Sequence, residues 1–172
     1  MRGRRERRDW DAFDEFCARE YPRLVGSIAL IVGDADLAAD AVCEALARAW
    51  KRHRRGIDID SISAYVRVVA LNVARDHFRH AAVENKHLSA LLPTLRTNLE
   101  HETWGLSVDV RKVLASLPLR QREVVVLHFL CDLTVDTVAA ELGIAPASVK
   151  SSLDRARATS GCSTRRIGGG AP

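Results

Sequence analysis

The chain has 172 residues, 47% of them hydrophobic and 28% charged, which is the composition of a soluble globular protein with one or two domains. Its apolar runs, such as residues 124–127, are too short to span a membrane. The arginine-rich start continues into acidic residues and not into the apolar core of a signal peptide. These features argue against membrane insertion and predict a cytoplasmic protein.

The four cysteines are far apart in the sequence and form no CxxC pair. This pattern favours reduced, mostly buried thiols over a disulfide framework or a zinc site. The four are Cys17, Cys43, Cys131 and Cys162.

The net charge of +4 conceals alternating stripes along the chain. Residues 1–8 hold five arginines and one glutamate, whereas residues 9–20 hold five acids and one arginine. Residues 34–44 hold four acids and no base, and residues 48–55 hold five bases and no acid. Such alternation favours one surface for nucleic acid and another for a protein partner, although any single stripe also fits a solvated helix face.

The first third of the chain begins with the apolar period of two helices. Residues 10–32 form a helical face that Pro22 is expected to interrupt. Asp34 or Asp36 is placed to cap a second helix that runs to about Arg54.

A third helix follows a loop that contains Gly56 and the acidic stretch IDID. Ser61 is its predicted cap, and its apolar positions continue to about residue 82. The pattern therefore predicts a three-helix bundle over residues 10–82, preceded by a basic tail at residues 1–9.

The helical period is lost over residues 83–106, which predicts a flexible linker. A second helical domain is expected over residues 107–160, with Ser107 as its first cap and Pro118 at the first turn of the next helix. The glycine-rich residues 161–172 are expected to be a disordered tail. The predicted fold class is all-α, with two small helical domains joined by the linker.

The stretch TVDTVAAELGIAPASVKSSLDRARA, residues 134–158, has the pattern of two short helices around a tight turn. Ala139 allows close helix approach, Gly143 tolerates positive φ in the turn, and Pro146 starts the second helix. An apolar set at suitable offsets is expected to lock the pair, namely Val138, Leu142, Ile144, Val149 and Leu153. The pattern predicts a helix-turn-helix, and the alternative is an ordinary helical hairpin.

In a helix-turn-helix, the start of the second helix enters the major groove of DNA. Here that helix presents Ser148, Lys150 and Ser151 outward. Arg155 and Arg157 lie further along, where they are placed to meet phosphates. Acidic side chains balance these bases, so the pair of helices is not basic by itself; they are Asp136, Glu141 and Asp154.

Two stretches of the chain together carry a family resemblance. LPLRQREVVVLHFLCDLTVDTVAAELGIAPASVKSSLDRARA is similar to region 4 of extracytoplasmic-function (ECF) sigma factors, including its LPxRQREV opening. DADLAADAVCEALARAWKR, followed by AYVRVVALNVARDHFRH, resembles region 2 of the same family. The two lie in the family's order, and the branch they resemble most is the actinobacterial one often called the SigE family. The resemblance implies a sigma region 2 bundle, a linker and a sigma region 4 helix-turn-helix.

The resemblance also implies partners. In the family, the acidic helix of region 2 docks on a coiled coil of the RNA polymerase β′ subunit, and region 4 docks on the β flap. Asp40 and Glu44 lie one turn apart on that helix, with Arg48 next on the same face, so these three residues are the expected polymerase-docking surface. Promoter DNA is a second implied partner, and the family admits an anti-sigma factor as a third.

The helix after the IDID loop resembles the one that reads and melts the −10 element. Asn72 stands where the family typically has an asparagine, whose side chain offers both a donor and an acceptor to an unstacked base. Arg67, Arg75 and Arg79 are placed to hold the phosphates of the displaced strand. Two aromatic residues on the apolar period fit either base stacking or core packing, namely Tyr65 and Phe78.

The chain departs from the family at several positions. It has Cys43 where glutamine is common and Val68 where arginine is common. In the recognition helix it has Ser152 and Asp154 where arginine and histidine are frequent. Because such changes remove contacts to phosphates or bases, we expect either modest promoter affinity or an unusual −35 preference.

The sequence holds no convincing arrangement for catalysis or for a resident cofactor. His77 and His80 are three residues apart on a helix, yet they lack further ligands for a metal. Asp58 and Asp60 lie in a loop and do not form a catalytic pair. The chain is therefore expected to be a non-enzymatic protein with no metal and no cofactor.

These features predict a sigma factor that binds RNA polymerase core, contacts −35 DNA through region 4 and opens −10 DNA through region 2. One rival is a stand-alone helix-turn-helix regulator, for which the chain offers no sensor domain. Another is a helical adaptor or antagonist that binds polymerase or a sigma factor without reading DNA. Run-off transcription separates the three.

Overall fold

The computed structural model describes residues 2–84 and 106–160, and the side chains of residues 11–77 and 106–159. Within these ranges every regular element is helical, which confirms the all-α fold class. The expected linker lies outside the described residues except at its two ends, and the expected tail at 161–172 lies outside them.

The chain divides into two compact units, Met1–Trp104 and Gly105–Pro172. Within its described residues, the first unit contains three helices: α1 (Arg2–Val32), α2 (Ala35–Arg54) and α3 (Ile62–Glu84). The second contains α4 (Val108–Ser116), α5 (Leu119–Val125), a π-helical segment (Val126–Leu130), α6 (Val135–Leu142) and α7 (Pro146–Ser160).

The three helices of the first unit pack on one another around an apolar core. The two predicted caps of this unit are confirmed: Asp34 accepts from the Leu37 amide at 2.9 Å to begin α2, and Ser61 Oγ accepts from the Ala64 amide at 3.3 Å to begin α3. The core-facing side chains come from all three helices and include Ile28, Ile31, Val42, Leu46, Val66 and Leu71.

Helix α1 differs from its prediction in two ways. It begins at Arg2, so residues 2–9 continue the helix where a separate tail was expected. It also runs through Pro22 without a break, and the expected interruption is wrong. Pro22 is exposed, and its missing amide leaves only the carbonyl of Ala18 without a helical partner. Because Ala18 is itself exposed, water can take that bond, and burial of residues 26–33 holds the helix together.

In the second unit, Ser107 caps α4 as predicted, with 3.4 Å from its Oγ to the Val110 amide. Pro118 is the N-cap of α5 and so lies one position before its expected place. The buried Arg122 donates from Nη2 to the carbonyls of Ala115 and Leu117, each at 3.0 Å, and so closes the turn between α4 and α5. Burial lowers the pKa of the Arg122 guanidinium.

The helix that follows Pro118 changes character part-way, because its second half, Val126–Leu130, is π-helical. The Cys131 amide donates to the Val126 carbonyl at 3.0 Å, five residues back. His128 Nδ1 lies 2.7 Å from the Leu133 carbonyl oxygen. Because a carbonyl only accepts, Nδ1 carries the proton, and this bond holds the loop that leads into α6.

The expectation of mostly buried thiols is wrong for the three described cysteines, because Cys43 is exposed and Cys17 and Cys131 are only half-buried. No disulfide joins these three, and Cys162 lies outside the described residues. Among the helices that the structure describes, none is long and apolar enough to cross a membrane.

Candidate interfaces on the two helical units

The exposed face of α2 brings together the three residues expected to contact polymerase. Asp40, Glu44 and Arg48 lie on successive turns, and all are exposed. Arg48 Nη2 donates to Glu44 Oε1, so two of the three side chains form an ion pair. The face therefore presents one carboxylate at Asp40 and a neutralised pair one turn further on.

The buried side of α2 explains why this face points outward. A row of small and apolar residues packs against α1 and α3, namely Ala38, Ala41, Val42, Ala45, Leu46 and Ala49. Trp50 is half-buried and packs on Phe13 of α1, with ring centroids 5.0 Å apart. The apolar row fixes the rotation of α2 and thereby the direction of the polar row.

Helix α1 adds Tyr21 to the same face, which the sequence pattern did not predict. The Tyr21 hydroxyl lies 3.7 Å from Cys43 Sγ, within hydrogen-bond reach. Burial raises the pKa of the Tyr21 phenol, and the contact with Cys43 and the nearby charge of Asp40 raise it further. Tyr21 is therefore a neutral phenol beside Asp40, and its contact across the α1–α2 pair depends on tertiary packing.

On α3, Asn72 is exposed, as a residue that contacts a base must be. Its Oδ1 accepts from Arg75 Nη1 at 3.1 Å, so the amide oxygen is engaged while the NH₂ group points away from this bond. Arg67 and Arg75 are half-buried on the same helix. Two further expected residues, Phe78 and Arg79, lie on α3 with side chains outside the described residues.

The sequence position of Tyr65 fits base stacking or core packing, and the structure gives it a third environment. Its ring is half-buried, and the Arg52 guanidinium lies over it at 5.5 Å from the centroid. Helical periodicity does not predict this pair, because Arg52 and Tyr65 lie on different helices, α2 and α3, on either side of the IDID loop.

The helix-turn-helix has the predicted local geometry. Gly143 ends α6 in the left-handed region with φ 64°, and the Ile144 amide donates to the Ala139 carbonyl at 3.0 Å. Thr134, which the sequence pattern did not single out, caps α6 through the Thr137 amide at 3.2 Å. The apolar lock is buried at Val138, Leu142, Val149 and Leu153, while Ile144 is half-buried.

The start of α7 is exposed at all three residues predicted to face DNA, Ser148, Lys150 and Ser151. Arg155 is also exposed. Arg157 differs, because its Nη1 pairs with Asp154 Oδ1 at 3.3 Å, which neutralises one of the two expected phosphate contacts. Across the described residues, no group of three or more His, Cys, Asp or Glu side chains is arranged to hold a metal ion.

Comparison with known proteins identifies both units. The sigma-70 region 2 family model matches residues 17–83, and the sigma-70 region 4 model matches residues 107–159. The RNA polymerase sigma-E factor of Streptomyces coelicolor is 32% identical over 148 residues, which covers 85% of this chain and 82% of the relative. The chain belongs to the ECF group of the sigma-70 factors.

Further similarities agree with this sigma factor family. The RNA polymerase sigma-E factor of Streptomyces avermitilis is 30% identical over 148 residues, covering 85% of this chain and 81% of the relative. The sigma factor RpoE of Bartonella quintana, solved with the anti-sigma factor NepR, shares the fold with a TM-score of 0.73 at 22% identity, over 87% of this chain and 94% of that one. As a sigma factor, the protein directs transcription initiation.

Proposed function

We propose that this sigma factor binds RNA polymerase core, reads −35 DNA with the start of α7 and opens −10 DNA along α3. The observation that carries the proposal is the pairing of two exposed polar surfaces on separate units. One is the first turn of α7, the second helix of the helix-turn-helix, and the other is Asn72 on the solvent side of α3. The protein acts beside polymerase in the cytoplasm, and polymerase supplies the chemistry.

Docking on polymerase is assigned to the Asp40, Glu44 and Arg48 face of α2, with the β′ coiled coil as its partner. The exposed carboxylate of Asp40 and the Glu44–Arg48 pair together suit a partner that carries basic and acidic side chains on adjacent turns. The second unit is assigned to the β flap. Two docking sites position the two DNA-binding surfaces on one polymerase.

The −35 element is assigned to Ser148, Lys150 and Ser151, which are exposed where α7 begins. Arg155 supplies a phosphate contact that carries no sequence information. Because Asp154 neutralises Arg157, the unit attracts DNA weakly by itself. Tethering to polymerase therefore supplies most of its occupancy at the promoter.

An anti-sigma factor is a further proposed partner. The RpoE sigma factor of Bartonella quintana, which has the same fold, was solved with the anti-sigma factor NepR. We assign to this chain an antagonist of the same class, which covers the α2 face and so competes with polymerase.

Run-off transcription tests the proposal. Core polymerase is combined with the purified full chain on a library of genomic promoter fragments, and core alone and chain alone serve as controls. We expect transcripts with defined 5′ ends only from the mixture. Binding to core without any promoter-dependent transcript would favour an adaptor, and specific DNA binding without core would favour a stand-alone regulator.

A further inference from the structure

The end of α2 carries a dense group of exposed basic side chains. Lys51, Arg52, His53 and Arg54 occupy its last turn, and Arg55 follows as the C-cap. All five are exposed. Among the residues that the structure describes, none of the lysine and arginine members forms an ion pair, although two acids follow in the next loop. We call residues 51–55 the basic corner.

Basic residues at a helix C-terminus commonly offset the helix dipole and bond to the last carbonyl groups. Here backbone amides already satisfy two of these carbonyls. The Arg52 oxygen accepts from the amides of Arg55 and Ile57 at 2.9 and 3.2 Å, and the His53 oxygen accepts from Gly56 at 2.9 Å. Gly56 makes this turn accessible with φ 71°. Side chains of the basic corner are therefore not needed for these two carbonyls, and the exposed charges of Lys51, Arg52, Arg54 and Arg55 can meet an external anion.

One member of the basic corner is held in a defined position. The Arg52 guanidinium lies over the Tyr65 ring, 5.5 Å from its centroid, and Tyr65 is half-buried in α3. A cation over an aromatic ring is attracted to its face. A guanidinium held in this way keeps donors at its edge, and these match the geometry of a phosphate. The ring thus orders a side chain that would otherwise move through solvent.

The basic corner adjoins the part of α3 where Asn72 lies. Tyr65 and Asn72 are seven residues apart, which is about two turns, so they share one face of α3 and lie about 10 Å apart along its axis. A nucleic-acid strand that follows α3 from Asn72 toward its first turn therefore reaches Arg52. The basic corner offers four permanent positive charges close together. A nucleic-acid strand is a matching partner, because its phosphates repeat along the backbone.

We propose that the basic corner binds the phosphates of the promoter strand that is opened along α3, and that Tyr65 is a positioning residue that holds Arg52 for this contact. The inference rests on the proposed function. It adds a phosphate site at the end of α2, whereas the residues assigned above to this strand all lie on α3.

The test uses holoenzyme and a fluorescent promoter fragment whose −10 region is unpaired, with affinity measured over a series of salt concentrations. The promoter is one identified by run-off transcription. Arg52→Ala should lower the slope of log affinity against log salt by about 0.7, the value for one phosphate contact on a single strand. Arg52→Lys should retain the slope but lose affinity. Arg23→Ala, which removes an exposed arginine of α1 outside the basic corner, is the matched control and should leave the slope unchanged.

The role of Tyr65 is tested in the same assay. Tyr65→Leu should weaken binding when Arg52 is present and have no further effect in an Arg52→Ala background, whereas Tyr65→Phe, which keeps the ring, should behave as wild type. A purely structural role would weaken binding equally in both backgrounds and overturn the positioning assignment.

Two further results would overturn the phosphate site. One is a salt-dependence slope for Arg52→Ala equal to that of Arg23→Ala, while both variant holoenzymes still bind the promoter. That result would leave the proposed function intact. The other is weaker binding of Arg52→Ala to core polymerase alone, which would make the basic corner a protein contact. A wild-type mixture that binds no promoter would remove the proposed function and this inference together.

Discussion

Asn72 and Arg75 show how a side chain on α3 can be ordered before DNA arrives. The Asn72 carbonyl oxygen accepts from Arg75 Nη1 at 3.1 Å, which restricts the amide and leaves its NH₂ group outside this bond. A fixed donor loses less conformational entropy when it meets a base than a mobile one does. In the proposed function the NH₂ group contacts an unstacked base, and Arg75 stays with the oxygen.

Two substitutions at Asn72 separate this role from a structural one. Asn72→Ala removes both groups, and Asn72→Asp keeps an oxygen for Arg75 but removes the NH₂ donor. If the donor contacts a base, both should reduce promoter opening by about 5- to 150-fold, which corresponds to about 1–3 kcal/mol for a hydrogen bond lost from a buried contact. Permanganate footprinting measures the bubble, and core binding should not change. A normal bubble with Asn72→Asp alone would show that Asn72 serves only to hold Arg75.

On α7, residue environments predict three different responses. Lys150→Ala should relax the preference at one or two −35 positions at a cost of about 1–3 kcal/mol, because a base-edge contact is lost. Arg155→Ala should weaken binding on every sequence and lower the salt slope by about 0.9, the value for one phosphate on duplex DNA. Arg157→Ala should do less than Arg155→Ala, since Asp154 already neutralises that charge.

Promoter-library selection with each variant holoenzyme, followed by a salt titration on one promoter, distinguishes the three. An unchanged −35 preference with Lys150→Ala would mean that α7 packs or docks more than it reads. Equal effects of the two arginine variants would mean that the Asp154 ion pair opens in the complex.

At the scale of helices, most of the fold was predictable because local chemistry decides it. Ser61 and Ser107 cap their helices, and the left-handed turn at Gly143 needs a residue without a side chain. The predictions that failed concern positions whose conformation depends on tertiary packing. Pro22 ends a helix when its neighbours are buried, but here it faces solvent while the next turns are held in the core. The sequence pattern likewise does not display the change from α-helix to π-helix at Val126.

For the candidate sites, too, the sequence predicts what lies on one helix but not what two helices bring together. Helical spacing alone places Asp40, Glu44 and Arg48 on one face, and the structure agrees with that placement. Pairings between helices, such as Arg52 with Tyr65, were not predictable because they need the bundle to bring distant positions together.

The exposed row of α2 can be tested as a unit. The double variant Asp40→Lys, Glu44→Lys should weaken binding to core polymerase by about 100-fold or more, because like charges placed across an interface cost several kcal/mol. Asp58→Lys, Asp60→Lys changes the net charge equally at two exposed loop positions and should have a much smaller effect. Fluorescence-based titration of core, with circular dichroism to check folding, gives the comparison. Equal losses for the two double variants would point to net charge and not to an α2 docking surface.

At the scale of the whole molecule, the two proposed DNA contacts belong to different compact units. Substitutions at sites that share no partners usually combine additively in free energy. The effects of Asn72→Ala and Arg155→Ala on promoter binding should therefore multiply, within about twofold, in the double variant. Four holoenzymes and one promoter are sufficient for this cycle. A double-variant effect far from the product of the two single effects would show that formation of one DNA contact depends on the other.

The uninterrupted helix α1 also has a consequence for local unfolding of the protein. Residues 26–32 of this helix are buried, whereas residues 11–23 are exposed or half-buried and include Pro22, which gives no amide to the helix. Local unfolding that starts at the N-terminus thus meets a natural stopping point at Pro22. In hydrogen–deuterium exchange, amides of residues 11–21 should exchange orders of magnitude faster than those of residues 26–33. The chain would then have a frayed arm and a protected stem within one continuous helix.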